Sequence, residues 1–206
     1  MNTRPLYVAV EGPIGVGKST LVAKLAERLK ARLVMEVVEE NPFLPLFYAD
    51  PKAYAFQTQI FFLMSRFSQQ QDLLQEDLFT PGILADYHLL KDRIFAQLTL
   101  QDHELALYEK IYQALETNIL QPDVIVYLNA RLDVIMERIA RRDRPFERGM
   151  DPDYIARLGQ AYKHYFAHHR GPSKVLELDT TEIDYVTSDE PIEWVYRQIL
   201  ELSERG

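Results

Sequence analysis

Lys18, Ser19, Glu36, Asp86 and the arginines at 138, 142 and 144 are the residues of this chain whose types and spacing can do chemistry on a phosphate. The first two end the run Gly12-Pro13-Ile14-Gly15-Val16-Gly17-Lys18-Ser19, which fits the pattern G-x-x-x-x-G-K-[ST]. Gly12, Gly15 and Gly17 let successive backbone N–H groups turn inward around an anion, and the helix that follows adds partial positive charge at its N-terminus. Lys18 can reach the outer phosphates of a nucleotide, Ser19 can offer its hydroxyl to Mg²⁺, and Thr20 stands beside them in the nucleotide-binding turn. A glycine-rich turn that merely links strand to helix would not need all the fixed positions of the pattern.

Those residues must be held by regular elements, and the sequence supplies them. The apolar stretch Leu6–Val10 reads as a strand before the glycine loop, and apolar residues at 21, 22, 25, 26 and 29 mark a one-sided helix after it. Arg32–Val38 reads as a second strand, apolar enough for burial on both faces, and it carries Glu36. Pro42 then bars helix, and a long aromatic-rich helix is expected from Pro51 to about Leu74, with Gln59, Phe62, Leu63 and Arg66 on one stripe. Gly82–Asp86 is a third strand ending in a carboxylate, followed by Tyr87, His88 and a short helix through Asp92, Arg93 and Phe95. Helix 103–120, strand 124–128, helix 132–140, helix 154–168, strand 174–178 and helix 190–202 complete the chain. Alternating strands and helices predict an α/β fold with a five-stranded parallel sheet covered on both faces, as one domain over residues 1–206. Ligands of such a sheet bind beyond the C-terminal ends of its strands, where Lys18, Glu36 and Asp86 converge.

Phosphoryl transfer needs a phosphate cradle, a metal, a group to take the acceptor's proton, and positive charge near the moving phosphoryl. Glu36 is the candidate base, with a merely solvated strand-end acid as the other reading and Glu39 and Glu40 as rivals. Asp86 can hold Mg²⁺ or cap the next helix. The basic run Arg141-Arg142-Asp143-Arg144-Pro145-Phe146-Glu147-Arg148, with Arg138 on the preceding helix, is either a solvated surface or an arginine-rich lid over about 141–150. A phosphate site close by favours the lid. His164 and His168 have a metal-like spacing, but no H-E-x-x-H pattern or cysteine accompanies them. Most of the aromatic run from Phe43 to Phe67 is expected to be core.

Composition sets the outer limits. With 206 residues the chain can bury a full core, and without cysteine it has neither disulfides nor thiolate metal sites. A formal charge of −8 argues against a nucleic-acid polymer as partner, so an anionic ligand must meet the local basic cluster. No stretch approaches a membrane span, and Met1–Pro5 leads directly into the first strand, so the expectation is a cytoplasmic protein without a signal peptide.

Taken together, these stretches resemble the deoxynucleoside kinase family, and the resemblance covers nearly the whole chain. It is carried by Glu11–Ser19, by Glu36-Val37-Val38-Glu39-Glu40-Asn41-Pro42-Phe43-Leu44, by Phe47-Tyr48-Ala49-Asp50-Pro51, by Ala55-Phe56-Gln57-Thr58-Gln59, and by Arg138–Arg144. Asp86-Tyr87-His88 looks most like bacterial deoxyguanosine kinases. The resemblance implies a P-loop kinase fold and transfer of the ATP γ-phosphate to the 5′-hydroxyl of a deoxynucleoside. It implies Glu36 as base, Asp86 at Mg²⁺, and Gln59 pairing with the nucleobase between Arg66 and Asp92. Tyr48 would meet the sugar 3′-hydroxyl, with Arg138, Arg142 and Arg144 as lid arginines, and a homodimer is implied. Two positions depart from the family pattern. Tyr87 stands where many members carry an arginine beside the catalytic glutamate, and Lys163 aligns with the glutamate that shares the 3′-hydroxyl with the tyrosine.

On base choice, donor-only Arg66 favours a base presenting acceptors, as guanine does, while Asp92 either accepts from that base or pairs with Arg66. The expectation is deoxyguanosine first and deoxyadenosine second, with a deoxyadenosine/deoxycytidine kinase as the alternative. A nucleoside monophosphate kinase such as a thymidylate kinase would need further basic residues at the acceptor, and 39–62 holds only Lys52. A regulatory P-loop GTPase would carry an Asn-Lys-x-Asp segment, which does not occur.

Overall fold

The computed structural model describes residues 5–38, 40–76, 82–117, 119–185 and 187–204. Five strands, β1 (Leu6–Glu11), β2 (Arg32–Val34), β3 (Gly82–Ala85), β4 (Val124–Asn129) and β5 (Lys174–Asp179), form one parallel sheet in the order β2-β3-β1-β4-β5. The helices are α1 (Lys18–Leu29), α2 (Leu44–Ala49), α3 (Pro51–Glu76), α4 (Leu90–Thr99), α5 (Asp102–Glu116), α6 (Leu132–Arg142), α7 (Pro152–Ala167) and α8 (Glu190–Glu204).

Residue alternation along β1 sorts the two layers. Val8 and Val10 face a cluster with Leu21, Val22 and Leu25 of α1 and Ile192, Val195 and Ile199 of α8. Tyr7 and Ala9 point the other way, toward Leu73 of α3 and Tyr87. On that second face Ile125 and Tyr127 of β4 pack on Leu90 and Ile94 of α4 and on Leu158, Tyr162 and Phe166 of α7. A central strand buried on both sides is apolar up to its C-terminal end, which is why β1 and β4 read so plainly in the sequence.

Besides α5, which ends at Glu116 instead of reaching Leu120, two elements differ from expectation. The second strand stops at Val34 instead of running to Val38. It is an edge strand whose partner β3 ends at Ala85, opposite Val34, so no ladder exists beyond that point. The chain is then steered by Asp86, whose backbone N–H donates to the Val34 carbonyl at 3.1 Å while its carboxylate accepts from the Glu36 N–H at 2.6 Å. The other difference is α2, a helix not expected from the sequence, with Pro45 in its first turn, where a missing N–H costs nothing.

Candidate active site

The glycine loop is shaped by close approach. Gly12 has φ +147° and a Cβ there would stand 2.4 Å from the Leu128 carbonyl oxygen, while one at Gly15, with φ +80°, would stand 2.6 Å from Ile139. Only glycine fits both positions. Lys18 curls back over this loop and donates to the carbonyls of Gly12 at 2.7 Å and Pro13 at 3.0 Å. Gly15, Gly17, Lys18, Ser19 and Thr20 line a cavity of about 830 Å³, whereas Gly12 sits beneath it against β4. Arg138 braces the loop from α6, donating to the Val16 carbonyl at 3.0 Å, to Thr180 Oγ1 at 2.9 Å and to the Thr180 carbonyl at 2.7 Å.

Glu36 and Asp86 both line this cavity, as the positions after adjacent parallel strands require. Asp86 Oδ2 lies 3.4 Å from the Ser19 hydroxyl, so one carboxylate and one hydroxyl oxygen converge at the start of α1. Mg²⁺ keeps several waters and takes few protein ligands beside substrate phosphates, and this pair fits that donor set. Among the described residues no cluster of three or more His, Cys, Asp and Glu forms a site of another kind. Burial, and then the neighbouring Glu36 charge, raise the Asp86 carboxyl above its ordinary value. Glu39 lies outside the described residues, so its rivalry with Glu36 is not decided by position.

Glu36 is gripped from two sides. Lys91 Nζ donates to both of its oxygens, at 2.8 and 2.6 Å, and Arg66 pairs with Oε1. Burial pushes the Glu36 carboxyl up, but Lys91 first and Arg66 second outweigh it and hold the group well below the usual carboxylate range. Lys18 moves the other way. Burial, then repulsion from Lys91, lower its ammonium to about 8, against the pull of Glu36, Glu11 and Asp86. Glu11, at the end of β1, accepts from the His88 N–H at 2.5 Å and from the Tyr162 hydroxyl at 3.2 Å. Burial raises it to about 7.

The far end of the cavity is lined by one face of α3, where Thr58, Gln59, Phe62 and Arg66 stand together. Leu63 turns instead to the core against Leu89 and Tyr108. Gln59 is 3 % exposed and its Oε1 has no protein partner, so a buried acceptor is left for a ligand to satisfy. Arg66 lies over the Phe62 ring at 4.5 Å and pairs with Asp92 as well as with Glu36. Asp92 itself is fully buried and does not line the cavity, so of its two expected roles the structure displays the ion pair that sets Arg66. Asn41 pins the preceding loop to α3, donating to the Thr58 carbonyl at 3.2 Å and accepting from the Phe43 N–H at 3.0 Å.

At the third side stand Tyr48 of α2 and the arginines. Tyr48 stacks on Phe146 with ring centroids 6.1 Å apart, in the short 3₁₀ turn Pro145–Glu147. Arg142 makes a double ion pair with Glu147, at 2.6 Å to each oxygen, and Arg144 stands 3.8 Å from the same carboxylate. Arg148, by contrast, pairs with Asp143 at the surface. Burial raises the Tyr48 hydroxyl well above its ordinary value, helped by Tyr154 and by the Glu147 charge.

Two residues that the sequence did not single out therefore belong to the site. One is Glu147, a buried carboxylate on the cavity wall near Tyr48. Lys163, which aligns in the sequence with a sugar-binding glutamate of the family, is exposed on α7 and does not line the cavity. Glu147 was visible in the sequence as an acid inside a basic run. The other is Lys91, whose only signal was a lysine in the first turn of a helix, where cations are disfavoured.

Comparison with known proteins agrees with this geometry. A family model described as deoxynucleoside kinase matches residues 8–203. A deoxyguanosine kinase of Bacillus subtilis (strain 168) is 35 % identical over 98 % of this chain and 99 % of its own length. A deoxyadenosine/deoxycytidine kinase of the same organism is 30 % identical over 93 % of this chain and 90 % of its own. Among solved structures, the deoxyadenosine kinase of M. mycoides with bound dATP superposes with a TM-score of 0.83 at 26 % identity, covering 95 % of this chain and 100 % of that one. Together with the phosphate loop, the paired carboxylate and the arginines facing one cavity, these matches make the chain a phosphotransferase that belongs to the deoxynucleoside kinase family.

Proposed function

We propose that this enzyme transfers the γ-phosphoryl group of ATP to the 5′-hydroxyl of a purine deoxynucleoside, deoxyguanosine before deoxyadenosine, yielding the 5′-monophosphate for nucleotide salvage. The observation that carries the reading is the single cavity in which Glu36 stands between the phosphate loop and the Gln59–Arg66 face. Glu36 takes the proton of the 5′-hydroxyl as it attacks, and its low affinity for protons in the resting protein means the carboxylate is ready at any physiological pH. The Gly15–Thr20 turn holds the donor phosphates with backbone N–H groups, and Lys18 leaves the Gly12 and Pro13 carbonyls to meet them. Ser19 and Asp86 would hold Mg²⁺, which would neutralise charge at those phosphates. Arg142 and Arg144 exchange part of their pairing with Glu147 for the moving phosphoryl group, while Arg138 keeps the loop in shape.

Tyr48 and Glu147 are assigned to the sugar 3′-hydroxyl. They share the cavity wall, and a carboxylate beside a phenol offers that hydroxyl an acceptor and a donor. Gln59 pairs with the base edge, and Arg66, set by Asp92, supplies donors that suit the O6 and N7 acceptors of guanine. The 35 % identical relative, named a deoxyguanosine kinase, supports that order. A monophosphate acceptor is disfavoured because Lys52 lines an adjoining cavity of about 500 Å³ instead of this one. The proposal includes a cytoplasmic homodimer, which the family resemblance supports; no described helix is long and apolar enough to cross a membrane.

The test is ADP release from ATP and Mg²⁺ with each of the four deoxynucleosides and their monophosphates separately. Deoxyguanosine should give the highest kcat/KM. A deoxycytidine or thymidine preference overturns the purine reading, deoxyadenosine ahead of deoxyguanosine overturns the Arg66 argument alone, and activity only on monophosphates overturns the acceptor. Light scattering on the eluting enzyme tests the dimer.

A further inference from the structure

The lysine beside Glu36 stands in a costly setting. Lys91 is 6 % exposed, and it sits at the second residue of α4, where the unpaired N–H groups of the helix repel a cation. A lysine without function would turn its ammonium to water. Here the side chain runs inward along Phe95, with Nζ 5.6 Å from the ring centroid, and ends on both oxygens of Glu36. Local preference is broken in this way mainly where function demands it.

The position also answers a deficit. Many members of the family carry an arginine directly after the carboxylate that stands here as Asp86, and in this chain that residue is Tyr87. Tyr87 is fully buried and gives its hydroxyl to Gln69 at 2.7 Å, so it offers no charge to the site. Lys91 lies four residues further on and delivers its charge to the Glu36 carboxylate. Glu36 is in turn tied through its N–H to Asp86, which lies beside Ser19. The ammonium thus stands on the cavity wall next to the base and within one residue of the metal-binding pair.

We propose that Lys91 is a positioning residue for catalysis, the cation that fixes the Glu36 carboxylate toward the acceptor hydroxyl and supplies positive charge that Tyr87 cannot. The proposal rests on the reading of Glu36 as base. A purely structural lysine would only neutralise buried acids, and its loss would lower stability without altering turnover of the folded enzyme.

Steady-state kinetics and nucleoside binding by calorimetry on Lys91→Met and Lys91→Arg, with Glu36→Gln in parallel, decide the matter. Lys91→Met should lose at least about tenfold in kcat while the equilibrium Kd for deoxynucleoside stays within about threefold. Lys91→Arg, which keeps a cation on Glu36, should recover most of that loss. The proposal is overturned if Lys91→Met turns over within twofold of the parent, if kcat and Kd worsen in parallel, or if Lys91→Arg is no better than Lys91→Met. Should Lys91→Met fail to fold, Lys91→Gln is read by the same criteria. If Glu36→Gln itself remains active, the assignment of the base fails. If Glu36→Gln is dead while Lys91→Met is not, only the role of Lys91 fails.

Discussion

Replacing Glu36 by glutamine separates the chemistry of this residue from its part in the fold, because the amide keeps size and polarity while losing charge and basicity. The carboxylate neutralises Arg66 and Lys91, both nearly buried. Breaking a buried ion pair from one side typically costs about 3–5 kcal/mol. The cost here should sit below that range, since Arg66 keeps Asp92 and the amide oxygen still accepts one hydrogen bond. About 2–3 kcal/mol is expected, which lowers the melting temperature of a domain this size by roughly 5–10 °C. Assayed at 25 °C the variant is still folded, and the loss of general-base catalysis should reduce turnover by roughly a hundredfold or more. ATP affinity, measured at equilibrium, should stay within about threefold, as the phosphate loop is untouched. Coupled ADP-release kinetics beside a thermal melt give all three numbers. Near-normal turnover with the predicted fall in melting temperature would show that Glu36 only balances charge, and loss of turnover in Glu39→Gln instead would name the wrong acid.

Arg142→Ala and Arg144→Ala should each lower kcat by about tenfold to a hundredfold and change deoxynucleoside affinity less, since charge on the phosphoryl group is greatest in the transition state; an equal fall in calorimetric affinity would move them to the acceptor site. Glu147→Gln should raise the KM for deoxynucleoside by about tenfold and erase discrimination against 2′,3′-dideoxynucleosides, which lack the hydroxyl it is assigned to; undiminished discrimination refutes that assignment. Lys18 is a cation below about 8 and loses its proton as pH rises through that value, so kcat/KM for ATP should decline on the alkaline side while kcat at saturating ATP, where phosphates hold the ammonium, declines only at higher pH. A pH profile of kcat/KM that is level to about pH 9.5 would refute it.

Much of this was open to reading in the residues themselves. The phosphate loop is legible because its geometry forbids side chains at Gly12 and Gly15, and β1 and β4 because burial on both faces keeps Leu6 to Val10 and Val124 to Leu128 apolar. The end of β2 was not legible. Met35, Val37 and Val38 are as apolar as a strand, and what stops the ladder is the end of β3, a fact about a partner some fifty residues away. Gln59 and Arg66 could be picked out because polar side chains interrupt an apolar stripe of α3. Asp92 could be placed near them, but not behind Arg66, because helical spacing gives a face and not a depth. Lys91 and Glu147 escaped for a shared reason: each looks like an ordinary surface charge until the fold buries it against a partner from another element or across a turn.

The guanidinium of Arg66, held between Asp92 and Glu36, has a consequence for anyone who would retarget this enzyme. The side chain that is to discriminate among nucleobases also carries one of the two cations on the carboxylate that is to activate the hydroxyl. Libraries that vary residues 66 and 92 to admit a pyrimidine or a drug-like analogue will therefore alter the reaction rate together with selectivity, and hits will be dominated by slow catalysts. Variation at Gln59 and Thr58, which touch the same end of the cavity without bonding to Glu36, offers a route to new acceptors that leaves the proposed base undisturbed.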